Sequence, residues 1–137
     1  MVRRSSDPTP NYNCIAHAAC EDSRWWWPDP AGIYYWPSGA PREVTMIAFV
    51  LAYETLGYEA CADGKYEKGF EKIVIYSRNG QPTHAARLQS DSGLWTSKLG
   101  GEIDVEHDSP EALIREIPVL LRQYGDPIQF MKRPVVF

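Results

Sequence analysis

Two residue types in this 137-residue chain can carry covalent or proton-transfer chemistry near neutral pH: three cysteines, Cys14, Cys20 and Cys61, and three histidines, His17, His84 and His107. Cys14 stands in the stretch "PNYNCIAHAAC". Asn13 offers an N-cap there, so Cys14 opens a short helix whose small alanines permit close packing. A thiol in the first turn of a helix is drawn toward thiolate, which makes Cys14 the expected nucleophile and the most reactive of the three thiols. A nucleophile of this kind needs a base. His17 lies one helical turn on, where an imidazole more often caps or packs. His84 begins the strand-like "THAARL" and is the expected base. His107 follows "EIDVE" in a carboxylate-rich turn and is expected at the surface. Cys14, His17 and Cys20 have a superficial metal-ligand spacing. Residues six apart on a helix point to different sides, however, and no Cys/His pair completes four ligands, so no metal and no cofactor is expected.

Directly after the cysteine helix come "RWWWP" and "IYYWP". Trp25, Trp26, Trp27 and Trp36 are the expected substrate-binding residues, because three adjacent indoles cannot all face inward and an exposed aromatic patch marks a binding surface. A groove beside Cys14 is the natural place for them. The loop is expected to be ordered, since only packing of its bulky side chains offsets the entropy of fixing it.

The elements that must position these residues follow from period and punctuation. "EVTMIAFVLAYETL" places Val44, Ile47, Ala48, Leu51 and Leu56 at helical spacing, with Gly57 as a stop. "YEAC" reads as a short strand. "FEKIVIYSRNGQPTHAARLQ" reads as strand, turn and strand around the hairpin signal Asn79-Gly80, and "SDSG" turns the chain into a further strand, "LWTSKLG". "SPEALIREIPVLLRQYG" is a last helix, with Ser109 as N-cap, Pro110 at its first position and Pro118 bending or breaking it. Helix, helix, then antiparallel sheet is an α+β pattern: a cysteine-bearing helix and a second helix packed on an antiparallel sheet. Residues 1–10 read as a flexible leader and residues 11–137 as one domain, long enough to bury a core without staples.

The formal net charge of −4 comes from interspersed charges, and no Lys/Arg run exceeds the "MVRR" start, so no nucleic-acid footprint is expected. No apolar run approaches the roughly 20 residues of a membrane span, and no signal-peptide core is present, so no membrane association and a cytoplasmic location are expected. Three cysteines, an odd number, argue for reduced thiols.

With Cys14 opening a helix in "NCIAHA", a histidine on the later strand "THAARL", and a following tryptophan-bearing strand "GLWTSKLGG", the chain resembles the papain-like cysteine hydrolase superfamily. "Asn-Cys" before small apolar residues is also similar to bacterial papain-fold toxins and deamidases. The resemblance spans roughly residues 11 to 100. It implies a papain-like fold, Cys14 as nucleophile, His84 as base, and an orienting residue near Ser97 or Lys98. Papain-like proteases carry a glutamine several residues ahead of the cysteine to serve the oxyanion. Pro8 stands there here, so Asn11 or Asn13, with the backbone N–H of Cys14, would replace it. No Asn or Asp occupies the third strand. Ser97, Asp104, Glu106 and His107 all remain orienting candidates.

The expected function is a thiol hydrolase or amidase acting on a peptide or amide bond, with a peptide or protein substrate. The alternatives are a non-catalytic binding or inhibitory module using the aromatic surface, or a structural protein in which Cys14 is simply buried. Substrate and oligomeric state are not fixed by the sequence.

Overall fold

The chain alternates short helices with strands that collect into one antiparallel sheet. The computed structural model describes residues 2–6, 9–99 and 103–135. In chain order the elements are β1 (Val2–Arg4), α1 (Cys14–Ala18), α2 (Met46–Glu54), β2 (Glu59–Cys61), β3 (Phe70–Arg78), β4 (Gln81–Leu88), β5 (Trp95–Lys98), β6 (Asp104–His107), α3 (Pro110–Glu116), α4 (Val119–Tyr124) and β7 (Asp126–Pro134). The sheet has seven strands in the order β1-β6-β5-β4-β3-β7-β2, and every pair is antiparallel. The fold is α+β.

Helices cover both faces. On one face α1 and α2 bury Ile15, Phe49 and Tyr53 against Ile73, Ile75 and Ala85 of the sheet. On the other, Leu113 of α3 and Leu120 of α4 pack on Val74, Tyr76, Ala86, Leu88, Trp95 and Val105. The alternation along β3 and β4 divides these two cores, as a period of two requires.

Local chemistry explains the boundaries. The side chains of Asn13, Thr45 and Ser109 each accept from an amide in the first turn of the helix they cap. Asn79 and Gly80 both have positive φ, 53° and 79°, the conformation that a two-residue hairpin turn demands between β3 and β4. Pro118 breaks the last helical segment into α3 and α4.

Three strands depart from the sequence expectation. The leader expected over residues 1–10 contains β1, which pairs Val2 with His107 and Arg4 with Val105. Residues 104–107, expected as a turn, form β6. Residues 126–134 form β7, which inserts between β3 and β2. The buried side of α2 also differs, being Ala48, Phe49, Ala52 and Tyr53, while Ile47 is exposed. This helix is apolar nearly all round, so spacing alone selects no face. Partners select it: Phe49 packs on Trp27 and Trp36, and the Tyr53 hydroxyl donates to the carbonyl of Ile15 at 2.9 Å.

Candidate active site

Cys14 is the first residue of α1, and α1 lies against β4. Asn13 ties this start to the aromatic loop. Its Oδ1 accepts from the amides of Ala16 and Trp26, each at 3.1 Å, and its Nδ2 donates to the carbonyl of Trp26 at 2.8 Å. Asn13 is thus both a cap for α1 and a clamp on Trp26. Asn11 is exposed, and its backbone N–H donates to the Thr9 hydroxyl.

The aromatic loop is ordered, as its composition required. Trp26 and Tyr35 form a parallel bridge with their rings 5.0 Å apart, and the Asp29 carboxylate accepts from the amides of Ile33 and Tyr34. The tryptophans divide by role. Trp26 is 3% exposed, with Nε1 donating to Glu21, and Trp36 is 5% exposed, with Nε1 donating to the carbonyl of Pro41. Both are core residues, and the expectation that they touch substrate is corrected by that burial. Trp25 and Trp27, with Tyr34, wall a cavity of about 360 Å³ that opens on Cys14. Asn13, Thr83 of β4 and Tyr124 of α4 complete the wall. Two larger hollows, about 630 and 470 Å³, contain no cysteine in their walls.

Thr83 reaches this cavity because β4 is irregular there. His84 pairs with Tyr76 and Pro82 with Ser77, which leaves Thr83 as an extra residue. Such bulges re-aim side chains at a strand end.

His84 is fully buried one residue further along β4. Its ring stacks on Tyr124, with centroids 4.0 Å apart and planes within 10°, and meets Tyr76 edge-on at 5.1 Å. Its Nε2 lies 3.0 Å from Ser97 Oγ on β5, and Ser97 Oγ lies 2.8 Å from His107 Nε2 on β6. His107 Nδ1 lies 2.8 Å from the carbonyl oxygen of Ser109. The direction of this chain follows from its last member. A carbonyl only accepts, so His107 Nδ1 carries the proton. The neutral His107 then offers a lone pair at Nε2, Ser97 donates to it, and the Ser97 oxygen accepts from His84 Nε2–H. His84 is left with a lone pair at Nδ1. That atom is buried and has no hydrogen-bond partner among the described residues.

The resemblance therefore placed Ser97 beside His84, and the structure brings them together. His107, also an orienting candidate, joins them; it was expected at the surface and is instead fully buried, because β1 and α3 cover β6. Asp104 and His17 lie elsewhere. Asp104 accepts from the Tyr12 hydroxyl at 3.0 Å, and His17 Nε2 is 3.0 Å from Thr96 Oγ1, both in the 630 Å³ hollow.

Electrostatics here are dominated by burial. The Cys14 thiol, 8% exposed, is pushed up to about 11 by desolvation, against the pull of the amides of Ala85, Ile15 and Cys14 itself and of the Lys98 ammonium. The five-residue α1 does not offset that burial, so the resting sulfur is a thiol, not the thiolate expected from its helical position. Burial, with the nearby His107 and His17, holds His84 well below its ordinary range. Burial likewise lowers His107, opposed by its bond to the Ser109 carbonyl. The pair at rest is neutral on both sides. No hydrogen bond joins Cys14 to His84: the sulfur packs with Ala85 on the α1 face, and the imidazole lies between Tyr76 and Tyr124. Tyr124 belongs to both surroundings. Tyr124 and Thr83 were not singled out in the sequence. An aromatic residue directly before Gly125 at a helix end was the one local signal.

Among the described residues no group of three His, Cys, Asp or Glu side chains is arranged to hold a metal ion, and no helix is long and apolar enough to cross a membrane. No curated protein and no solved structure matches the chain. A family model described as a domain of unknown function, DUF7689, matches residues 3–132, nearly the whole chain, and the chain therefore belongs to the DUF7689 family.

Proposed function

We propose that this protein is a papain-like thiol hydrolase or amidase in which Cys14 attacks a carbonyl and His84 Nδ1 takes the thiol proton. The observation that carries this reading is the buried, unpartnered lone pair of His84 Nδ1, imposed by the bonds from Ser109 back through His107 and Ser97. Native interiors rarely leave such an acceptor empty, and a site awaiting a proton is one reason to do so. With a thiol near 11 and a depressed imidazole, proton transfer accompanies attack, as for a serine nucleophile, and no ion pair precedes it. Catalytic hydrogen bonds are commonly loose in unliganded proteins and tighten when substrate binds, which is the movement required of Cys14 here. When the tetrahedral adduct collapses, His84 returns the proton to the leaving amine. Water then releases the acyl group. The substrate is a peptide or another amide whose acyl side is apolar, matching Trp25, Trp27 and Tyr34. Reduced thiols of the kind a cytoplasmic location maintains belong to the same reading.

Incubation with the 4-nitrophenyl ester of 3-phenylpropionic acid, followed by intact mass and peptide mapping, tests it. A thioester on Cys14, lost in Cys14→Ala and slowed at least a hundredfold in His84→Ala, is expected. Absence of Cys14 acylation in the folded wild type overturns the enzyme reading.

The raised Cys14 thiol and its separation from His84 favour a second reading, a binding module that uses the aromatic cavity without chemistry. That reading expects 3-phenylpropionamide to quench tryptophan fluorescence equally in wild type and Cys14→Ala, with no acylation in either.

A further inference from the structure

The sequence offers no glutamine ahead of Cys14 for an oxyanion; of the two asparagines considered in its place, Asn11 is absent from the cavity wall, and Asn13 has its amide tied to Ala16 and Trp26. A donor is nevertheless present in the cavity wall. Tyr124 lines the same cavity as Cys14, and its hydroxyl makes no hydrogen bond to any described residue, although its ring is largely buried. Tyr53, Tyr76 and Tyr12 each direct their hydroxyl to a protein acceptor, and Tyr58, whose buried hydroxyl has none among the described residues, does not line this cavity.

The Tyr124 ring is held firmly. Its carbonyl accepts from the Thr83 hydroxyl at 2.5 Å, and its face rests on the His84 ring. Gly125, which follows, approaches β3 so closely that a Cβ there would stand 2.0 Å from the carbonyl oxygen of Ser77. With φ of 73°, this position suits glycine alone, and it pins the end of α4 to the strand beside the bulge. A preorganised donor is worth more than a mobile one, because no reorganisation is needed when charge develops.

We infer that the Tyr124 hydroxyl is the oxyanion donor of this site. The inference rests on the thiol-hydrolase reading above. The Cys14 S–H proton passes to His84 Nδ1, the sulfur forms a bond to the carbonyl carbon, and the π pair moves onto oxygen. That oxygen accepts the Tyr124 O–H hydrogen bond. On collapse the pair reforms the carbonyl, the bond to the leaving group breaks, and the proton on His84 goes to the leaving group. Burial raises the Tyr124 hydroxyl well above its ordinary value, so it remains a donor throughout the working range.

Tyr124→Phe keeps the ring and its stack on His84 and removes the donor alone. With the 4-nitrophenyl ester of 3-phenylpropionic acid, kcat is expected to fall roughly 10²–10³-fold, the effect of losing one oxyanion donor, with KM within about threefold. Binding of 3-phenylpropanal, which adds to Cys14 as a hemithioacetal, is expected to weaken in parallel. Binding of 3-phenylpropanol, which has no carbonyl, and the alkylation rate of Cys14 by iodoacetamide are expected to be unchanged. A kcat within threefold of wild type overturns the inference while leaving the Cys14–His84 chemistry standing. Equal losses in alcohol binding and alkylation assign Tyr124 a packing role and overturn it as well. Failure of the wild type to form a thioester on Cys14 overturns the underlying reading and this inference with it.

Discussion

Ser97 Oγ stands 2.8 Å from His107 Nε2, and that hydrogen bond determines which nitrogen of a third residue, His84, is bare. Because the neutral His107 gives its one ring proton to the Ser109 carbonyl, Ser97 must donate to His107 and accept from His84. Long-range ¹⁵N–¹H correlation spectra of the imidazoles are therefore expected to show His107 protonated at Nδ1 and His84 at Nε2. The opposite tautomer at His84 would remove the proposed base.

Ser97→Ala breaks this chain at its middle. It leaves His84 Nε2–H and His107 Nε2 without partners in a buried site, at a cost of about 1–3 kcal/mol for each unsatisfied group. Urea denaturation is expected to show a loss of about 2–6 kcal/mol for the two groups together. The proposed acylation of Cys14 is expected to slow, since both tautomers of His84 become accessible. A variant as stable as wild type would mean that the relay does not hold the three strands together.

The cysteines are expected to react in an order opposite to that suggested by the helical position of Cys14. Cys20 is exposed, whereas Cys14 is buried with its thiol pushed up to about 11. Brief iodoacetamide treatment at pH 7.5 should label Cys20 first. Labelling of Cys14 should rise about tenfold per pH unit toward pH 10, following the thiolate fraction. Rapid labelling of Cys14 at pH 7.5, faster than Cys20, would show that a cation outweighs its burial.

His17, His84 and His107 are all held below their ordinary values, chiefly by burial, His17 to about 4. The unfolded chain takes up these protons near pH 6.5 and the folded chain does not. Stability is thus fully present above about pH 6.5 and is lost as the pH falls from there toward the folded values. The slope is about 1.4 kcal/mol per pH unit for each proton excluded from the fold. Urea midpoints at pH 7.5, 6.0 and 5.0 should fall in that order, before the ordinary carboxylates titrate. A flat series would show that the imidazoles protonate without unfolding.

The tryptophans should separate in two assays. Trp26→Ala empties a core site and is expected to cost about 3–5 kcal/mol by urea denaturation. Trp25→Ala, at the cavity wall, is expected to cost about 1 kcal/mol or less while raising KM for the phenylpropionyl ester several-fold. The reverse pattern would move the binding surface to the other side of the loop.

Legibility of the fold followed local chemistry. The starts of α1 and α3, the Asn79-Gly80 hairpin and the break at Pro118 were all readable, because caps, turn residues and proline act within a few positions of themselves. β1, β6 and β7 were not, because their pairing partners lie far away in sequence. Val2 meets His107, and Lys132 meets both Glu59 and Lys72. "DVEH" alternates, but it is short and acidic, and of its two inward residues, Val105 and His107, only one is aliphatic. The same distance hid half of the candidate site. Ser97 was found through a strand-to-strand resemblance, whereas the burial of His107 needed β1 and α3 above it, and Tyr124 needed the close approach of Gly125 to β3.

The place of β7 between β3 and β2 bears on how the protein is made. Of the seven strands described it leaves the ribosome last, yet it supplies the neighbour for β3 from Phe70 to Ser77 and, among the described residues, the only partner strand of β2. Until Pro134 has been translated, a nascent chain holding the β3–β4 hairpin presents Ile73, Val74 and Ile75 along an open strand edge, the kind of template on which another chain can pair. Synthesis that stalls before residue 126 would yield a species with its helices and hairpin in place and that edge exposed, prone to aggregate in proportion to how long it waits.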